Sequence, residues 1–302
     1  MKKLMFAAAV VSAFAAFAAD AAKPAEAEIE KNEAPIFWGF GSSGVYSGYQ
    51  LYGSLVNSEP TWQTYIEGNA NLTIKDVDFG YLGVGIWSNT DITDKRHGIP
   101  YQKSFNEWDF NVHWGKTFWF DDNQTWGLTY RTSVVWYYYP HRMYQKHKNA
   151  FNKSSFNTTM DWDHYFELAN PYVVPYINVV HEYHESDGNL LQFGLKKMIA
   201  AGDNLSFTPY VEMVWRNTNY GWCFPHWGTD RNFEKINSCF ATLKIGLDAN
   251  YQINKYFGVF AKVAYCSVID GDLRDAAECC TGDDYGKYKD FAWGGVGVSF
   301  SF

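Results

Sequence analysis

The residues best equipped for chemistry are few. His181-Glu-Tyr-His184 places two imidazoles three positions apart beside a carboxylate, the raw material of a metal site. His113 lies four residues beyond Asp109, and Ser133 sits one segment further along, the three residue types of a hydrolytic triad. Both groupings fail on spacing. On an extended strand, positions 181 and 184 point to opposite faces, so they cannot share one ion without a bulge. A hairpin turn at 120–123 sets His113 opposite residues 129–131 rather than Ser133, and no G-x-S-x-G run is present. The sequence therefore predicts no enzyme, with no catalytic residue, metal or cofactor.

Five cysteines fall in or beside two segments. Cys223 and Cys239 bracket one, while Cys266, Cys279 and Cys280 bracket or occupy the other, without the paired C-x-x-C spacing of a zinc site. Export to an oxidising compartment would make Cys223–Cys239 and Cys266 with Cys279 or Cys280 candidate disulfides, leaving one thiol over. Asp270, Asp272, Asp275, Glu278, Asp283 and Asp284 crowd residues 269–288, but Asp270-Gly-Asp-Leu-Arg-Asp275 departs from EF-hand spacing, so a solvated acidic loop is the expectation. Residues 139–160 are the basic counterpart, with Arg142, Lys146, Lys148 and Lys153, suited to anionic lipopolysaccharide or to the acidic loop.

What could position such groups is set by the chain's patterning. Of 302 residues, 19% are aromatic (13 Trp, 22 Tyr and 23 Phe), yet mean hydropathy is slightly polar at −0.33. So many rings exclude disorder for the bulk of the chain. Beyond the N-terminus no apolar run reaches the length of a membrane helix. Residues 1–18 carry Lys2 and Lys3, an Ala/Val/Phe run and an Ala16-Phe17-Ala18 cleavage site, the pattern of a secretory signal. Its removal makes the net charge more negative than −8, which disfavours nucleic acid as a partner. Residues 19–36, charged and almost without rings, read as a flexible periplasmic leader.

From 37 to 302 the period is two. In Leu205–Trp215 the apolar set Leu205, Phe207, Val211, Met213 and Trp215 alternates with Ser206, Thr208, Tyr210 and Glu212. About twelve such segments are predicted, near 38–50, 61–74, 77–88, 105–119, 124–138, 161–169, 172–184, 189–199, 204–216, 239–252, 255–268 and 289–302. Most reach the roughly 9–11 residues a tilted membrane strand requires. Short connections at 75–76, 120–123, 170–171, 200–203 and 253–254 alternate with long ones at 51–60, 89–104, 139–160, 217–238 and 269–288, with 185–188 as the short exception. Segregated loop lengths and an even strand count predict an all-β, antiparallel up-and-down transmembrane barrel with short periplasmic turns and long extracellular loops.

Parity then assigns a lumen lining of Glu67, Glu107, Asp109, Arg131, Glu167, Glu182, Lys196, Glu212, Arg216, Lys244, Asp248 and Lys262. Rings flanking the short turns (Phe79, Tyr81, Phe118, Trp119, Phe120, Trp126, Phe207, Tyr251, Tyr256, Phe257 and Phe302) predict a periplasmic girdle, and Trp87, Trp136, Tyr137, Tyr138, Tyr139, Trp215, Tyr220, Trp222 and Tyr265 one at the other rim.

The last segment, Trp293-Gly-Gly-Val-Gly-Val-Ser-Phe-Ser-Phe302, turns Val296, Val298, Phe300 and Phe302 to one face and ends on phenylalanine. It resembles the terminal recognition strand of bacterial outer-membrane β-barrel proteins, and residues 38–302 as a whole resemble a class of small uncharacterised porins. The resemblance implies residence in the cell outer membrane of a Gram-negative envelope. It also implies contact with outer-membrane lipid and lipopolysaccharide, and delivery to the assembly machinery through the C-terminal strand. It transfers no functional residue. A passive channel for small hydrophilic solutes is the leading expectation. A plugged structural or surface-binding barrel acting through its extracellular loops is the second, and a lipid-acting barrel enzyme the third.

Overall fold

The computed structural model describes residues 36–75, 77–92, 106–138, 158–183, 187–221, 234–279 and 289–302. The segments read as signal and leader lie outside them. Twelve long strands form one antiparallel sheet: β1 (Phe37–Tyr46), β2 (Thr61–Ile74), β3 (Val77–Asp91), β4 (Glu107–Trp119), β5 (Gly127–Tyr138), β6 (Thr158–Ala169), β7 (Val174–Glu182), β8 (Gly188–Lys196), β9 (Leu205–Arg216), β10 (Cys239–Gln252), β11 (Phe257–Val268) and β12 (Asp290–Ser301). Each pairs with its sequence neighbours, and β12 returns to β1 with Phe40 opposite Ser301 and Tyr46 opposite Gly295. The sheet is a closed barrel without a free edge. Such closure satisfies the backbone in hydrocarbon, where no water can do so.

The outer surface is apolar. Ile66, Leu82, Val84, Ile86, Phe110, Val112, Val134, Val263, Val296 and Val298 are exposed around the waist, an arrangement unfavourable in water and expected in lipid. Phe79, Phe118, Trp119, Phe120, Trp126, Tyr256, Phe257 and Phe302 ring the short-turn end. Trp62, Trp108, Trp136, Tyr138 and Tyr265 ring the other. These two girdles identify a transmembrane barrel of the outer-membrane type. Four of the rings assigned to girdles by position belong inside instead. Tyr81 lies over Gly115, Trp87 packs on Tyr49, Tyr137 is buried at a strand end, and Tyr220 is buried among apolar side chains. Inward parity decides this for Tyr81, Trp87 and Tyr137, and Tyr220 lies beyond the end of β9. Tyr139 and Trp222 lie outside the described residues.

Asn or Asp side chains build several of the short turns. Asn170 Oδ1 accepts from the N–H groups of Tyr172 and Val173, and Asn254 Oδ1 from those of Tyr256 and Phe257. Asp121 accepts from the N–H groups of Thr125 (2.9 Å) and Trp126 (2.8 Å), which holds its exposed carboxyl below the usual range. That turn is wider than a 120–123 hairpin, because Phe120 and Trp126 also close on each other through the backbone. The first pair of β4 and β5 is therefore Trp119 with Gly127, and His113 faces Ser133 rather than residues 129–131. The sequence expectation for this register is corrected accordingly.

Two elements at the long-loop end differ from the sequence expectation: the first strand stops at Tyr46 instead of continuing to residue 50, and the acidic segment 269–288 is not all loop. Tyr49–Leu51 and Ser54–Asn57 form a two-stranded hairpin around Tyr52 and Gly53, which have φ values of 51° and 72° as a primed two-residue turn requires. Helix α1 (Gly271–Cys279) occupies part of the acidic segment. Asp270 caps it by accepting from Leu273 N–H, and Arg274 forms a two-pronged ion pair with Asp290 at 2.7 and 3.1 Å.

If the waist faces lipid, Val84→Arg, at a site 60% exposed midway along β3, should cost about 2–4 kcal/mol in reversible urea unfolding from lipid vesicles. A change near zero would mean that this face meets water. Unboiled protein should also migrate apart from boiled protein on a detergent gel.

Candidate functional site: the barrel interior

All twelve charged residues assigned inward by parity sit on the inner face, since directly opposed residues of paired strands share a side. Parity also brings in Asp161 and Asp163, which the sequence reading omitted although they share the odd-numbered register of Glu167 on β6.

Four ion pairs occupy the middle and turn-side levels. Glu212 and Lys244 are directly opposed on β9 and β10, with Nζ to Oε1 at 2.9 Å. Asp248 and Lys262 are opposed on β10 and β11 at 2.9 Å. Lys196 reaches from β8 to Glu167 on β6 at 2.5 Å and lies over the rings of Tyr165 and Tyr176. Arg131 on β5 meets Glu67 on β2 at 2.7 Å, spanning two intervening strands.

Glu67 is the most heavily engaged. Its side chain is 1% exposed, and it accepts from Tyr65, from Asn69 Nδ2 (2.9 Å) and from Arg131. Glycines make the reach possible. A Cβ at Gly83 would lie 2.1 Å from Asn69 Oδ1 and 2.3 Å from His113 Nε2, so a side chain there would sever the Asn69–His113 contact. Tyr81, Tyr176, Tyr210 and Tyr46 lie flat over Gly115, Gly194, Gly246 and Gly295 of the next strand. The rings thus pave the wall and do not block the bore.

The triad candidate does not assemble. Although His113 is opposite Ser133, its Nδ1 lies 2.8 Å from Asn111 Oδ1 and its Nε2 2.8 Å from Asn69 Oδ1. No hydrogen bond joins His113 to Ser133 among the described residues, so no base addresses that hydroxyl. His181 points outward from β7, bonded to Asn189 (2.8 Å), while His184 lies outside the described residues. No group of three metal-ligating side chains is found among the described residues.

Cys239 and Cys266 are free thiols. Cys266 is buried inside the wall with Tyr46, Phe260, Ala264 and Trp293, where the strand register and not a loop sets its neighbours. Cys223 and Cys280 lie outside the described residues, and Cys279 ends α1.

A chamber of about 440 Å³ opens at mid-height, lined by Tyr81, Asn111, Thr129, Arg131, Ser133, Val135, Asp163, Tyr165 and Asn178. On its loop side the bore narrows. The hairpin 49–57 folds inward, with Tyr49 against Trp87 and with Tyr137 buried beside it. Leu51, Tyr52 and Val56 pack on a buried cluster of Val180, Leu190, Val214, Tyr220, Ile236, Ala241, Val268, Leu273 and Ala276. Thr242 Oγ1 donates to Tyr52 O at 2.6 Å, and Asn57 Nδ2 to Asp91 at 2.7 Å. The hairpin therefore touches β3 and β5 on one side and β7 to β11 on the other, lying across the mouth. A register shift between Val214 and Trp215 places Ala241 in this cluster, against the outward facing that simple alternation assigns to it.

No protein-family model matches the chain, and no curated protein matches it in sequence. Solved structures of similar shape include the KdgM porin in complex with disordered oligogalacturonate, 10% identical over 87% of this chain and 99% of that one, with a TM-score of 0.43. The NanC porin is 13% identical over 86% and 98%, with a TM-score of 0.46. The translocator domain of the autotransporter NalP from Neisseria meningitidis is 10% identical over 91% of each chain, with a TM-score of 0.41. The likeness is one of shape alone at these identities.

Removing Arg131 leaves Glu67 charged in a dry site. Arg131→Met should destabilise the barrel by about 3–5 kcal/mol, whereas Arg131→Met combined with Glu67→Gln should recover much of that loss. Urea unfolding of the four proteins of the cycle measures the coupling, and additive losses would show that the pair does not interact.

Proposed function

We propose that this chain is a porin-like outer-membrane channel for the passive passage of small hydrophilic solutes. The observation that supports it is a chamber of about 440 Å³ inside a closed barrel, whose lining combines ring faces and Val135 with the hydroxyls, amides and charged groups of Thr129, Ser133, Asn111, Asn178, Arg131 and Asp163. A barrel stabilised only as a structural plug has no need to keep water-accessible space at its centre. The inward charges named from the sequence act on this reading as the lining, and eight of them are joined in four ion pairs that keep the bore polar.

A specific observation favours a second reading, a plugged barrel that acts through its extracellular loops. The apolar cluster joining hairpin 49–57 to α1 closes much of the loop-side mouth. Contact with lipopolysaccharide and delivery through the C-terminal strand are proposed for either reading.

Conductance of the purified protein in planar bilayers separates the two. The channel reading expects stepwise single-channel currents, and replacement of residues 50–56 by a short Gly-Ser linker should enlarge each step. Absence of steps from both proteins over a wide voltage range overturns the channel. Steps seen only after hairpin removal identify a plugged barrel.

A further inference from the structure

We infer that the passage favours positively charged solutes, those bearing an ammonium group above all. This rests on the channel reading and adds the substrate class to it.

The interior charges are not evenly spread. The four ion pairs neutralise Glu67, Glu167, Glu212 and Asp248. A second group of acids, Asp109 on β4 and Asp161 and Asp163 on β6, lies on the loop side of that layer. Glu107 and Glu182 stand beside them, Glu182 directly opposite Asp161. Asp161 is 1% exposed. Its Oδ2 accepts from Tyr137 at 2.9 Å, but its Oδ1 is buried without a hydrogen-bond donor. Asp109 Oδ1 and Asp163 Oδ1 are in the same condition. Asp163 lines the central chamber, so the acidic wall continues into the water-accessible space.

Four of the cations on the inner face are engaged in the ion pairs. Lys196, Lys244 and Lys262 lie within 2.9 Å of their own carboxylates, and Arg131 within 2.7 Å of Glu67. Arg216 is fully buried at the mouth and donates to Thr218 O at 2.8 Å and Ile236 O at 3.4 Å. A buried carboxylate oxygen without a donor carries its whole desolvation cost. Of these acids Asp163 lines the chamber, and a passing ammonium group there finds a carboxyl to which its N–H groups can donate, whereas an anion meets only the acidic wall.

The test is the reversal potential of the purified full chain in a planar bilayer under a potassium chloride gradient, repeated with methylammonium chloride. Cations should permeate about fivefold better than chloride, the preference that one charge at close range in water produces. Methylammonium should exceed potassium. Asp109→Asn, Asp161→Asn and Asp163→Asn together should bring the cation-to-chloride ratio toward one while steps persist. Asp163→Asn alone, at the chamber wall, should lower it in part and serves if the triple variant does not show the heat-modifiable migration of a folded barrel. Steps with no preference, or with preference for chloride, overturn the inference and leave the channel standing. Unchanged selectivity in the folded variants overturns it too. Absence of any step in the unaltered protein removes the channel and this inference with it.

Discussion

Every feature of this protein follows from one constraint: in hydrocarbon, a backbone N–H or C=O has only other backbone to bond. A sheet meets that constraint only by closing. Closure here depends on one seam between strands distant in sequence, the β1–β12 pairing of the chain's ends, added to a ladder in which each of the other strands pairs with its sequence neighbours. Once the ring is shut, each strand has one face for lipid and one for the interior, and alternation becomes compulsory. The many aromatic residues find their places on this basis. Some belt the two interfaces. Others lie flat on interior glycines.

Closure also creates the electrostatic problem that the interior solves. A bore of twelve strands leaves inward side chains partly out of bulk water, so their charges must be paired or hydrogen-bonded. Direct cross-strand opposition supplies Glu212–Lys244 and Asp248–Lys262. Longer reaches supply Lys196–Glu167 and Arg131–Glu67. Around the second kind, Gly83 and Gly115 give the wall room for the Asn69–His113 contact and for the Tyr81 ring, which a side chain at either position would displace. Asp109, Asp161 and Asp163 of β4 and β6 differ in belonging to none of these ion pairs, and Asp163 lines the chamber, which is the contrast behind the inferred preference.

Several details escaped the linear pattern for identifiable reasons. The Asp121 turn is wider than its polar residues suggested, because its carboxylate gathers two backbone N–H groups, and the shift changed the partner of His113. The bulge at Val214–Trp215 reversed the facing of Ala241. The hairpin 49–57 carries a legible signal, Tyr52-Gly53 between two short alternating runs, yet nothing local says that it folds inward. Asp161 and Asp163 could have been read from the same parity as Glu167.

The sequence by itself determined strand number, the sides on which short and long connections fall, and which face of each strand is polar. These are properties of period two and of segment length, and both are local. Only the tertiary structure decided which charges meet, because Glu67 and Arg131 are 64 positions apart and are brought together by the cumulative register of the strands between them. It also decided that the mouth is narrowed, since the hairpin is held by Thr242, a residue 190 positions from Tyr52 and adjacent to it only in the closed barrel. Alternation tells a side chain which way to face. Closure tells it what it will find there.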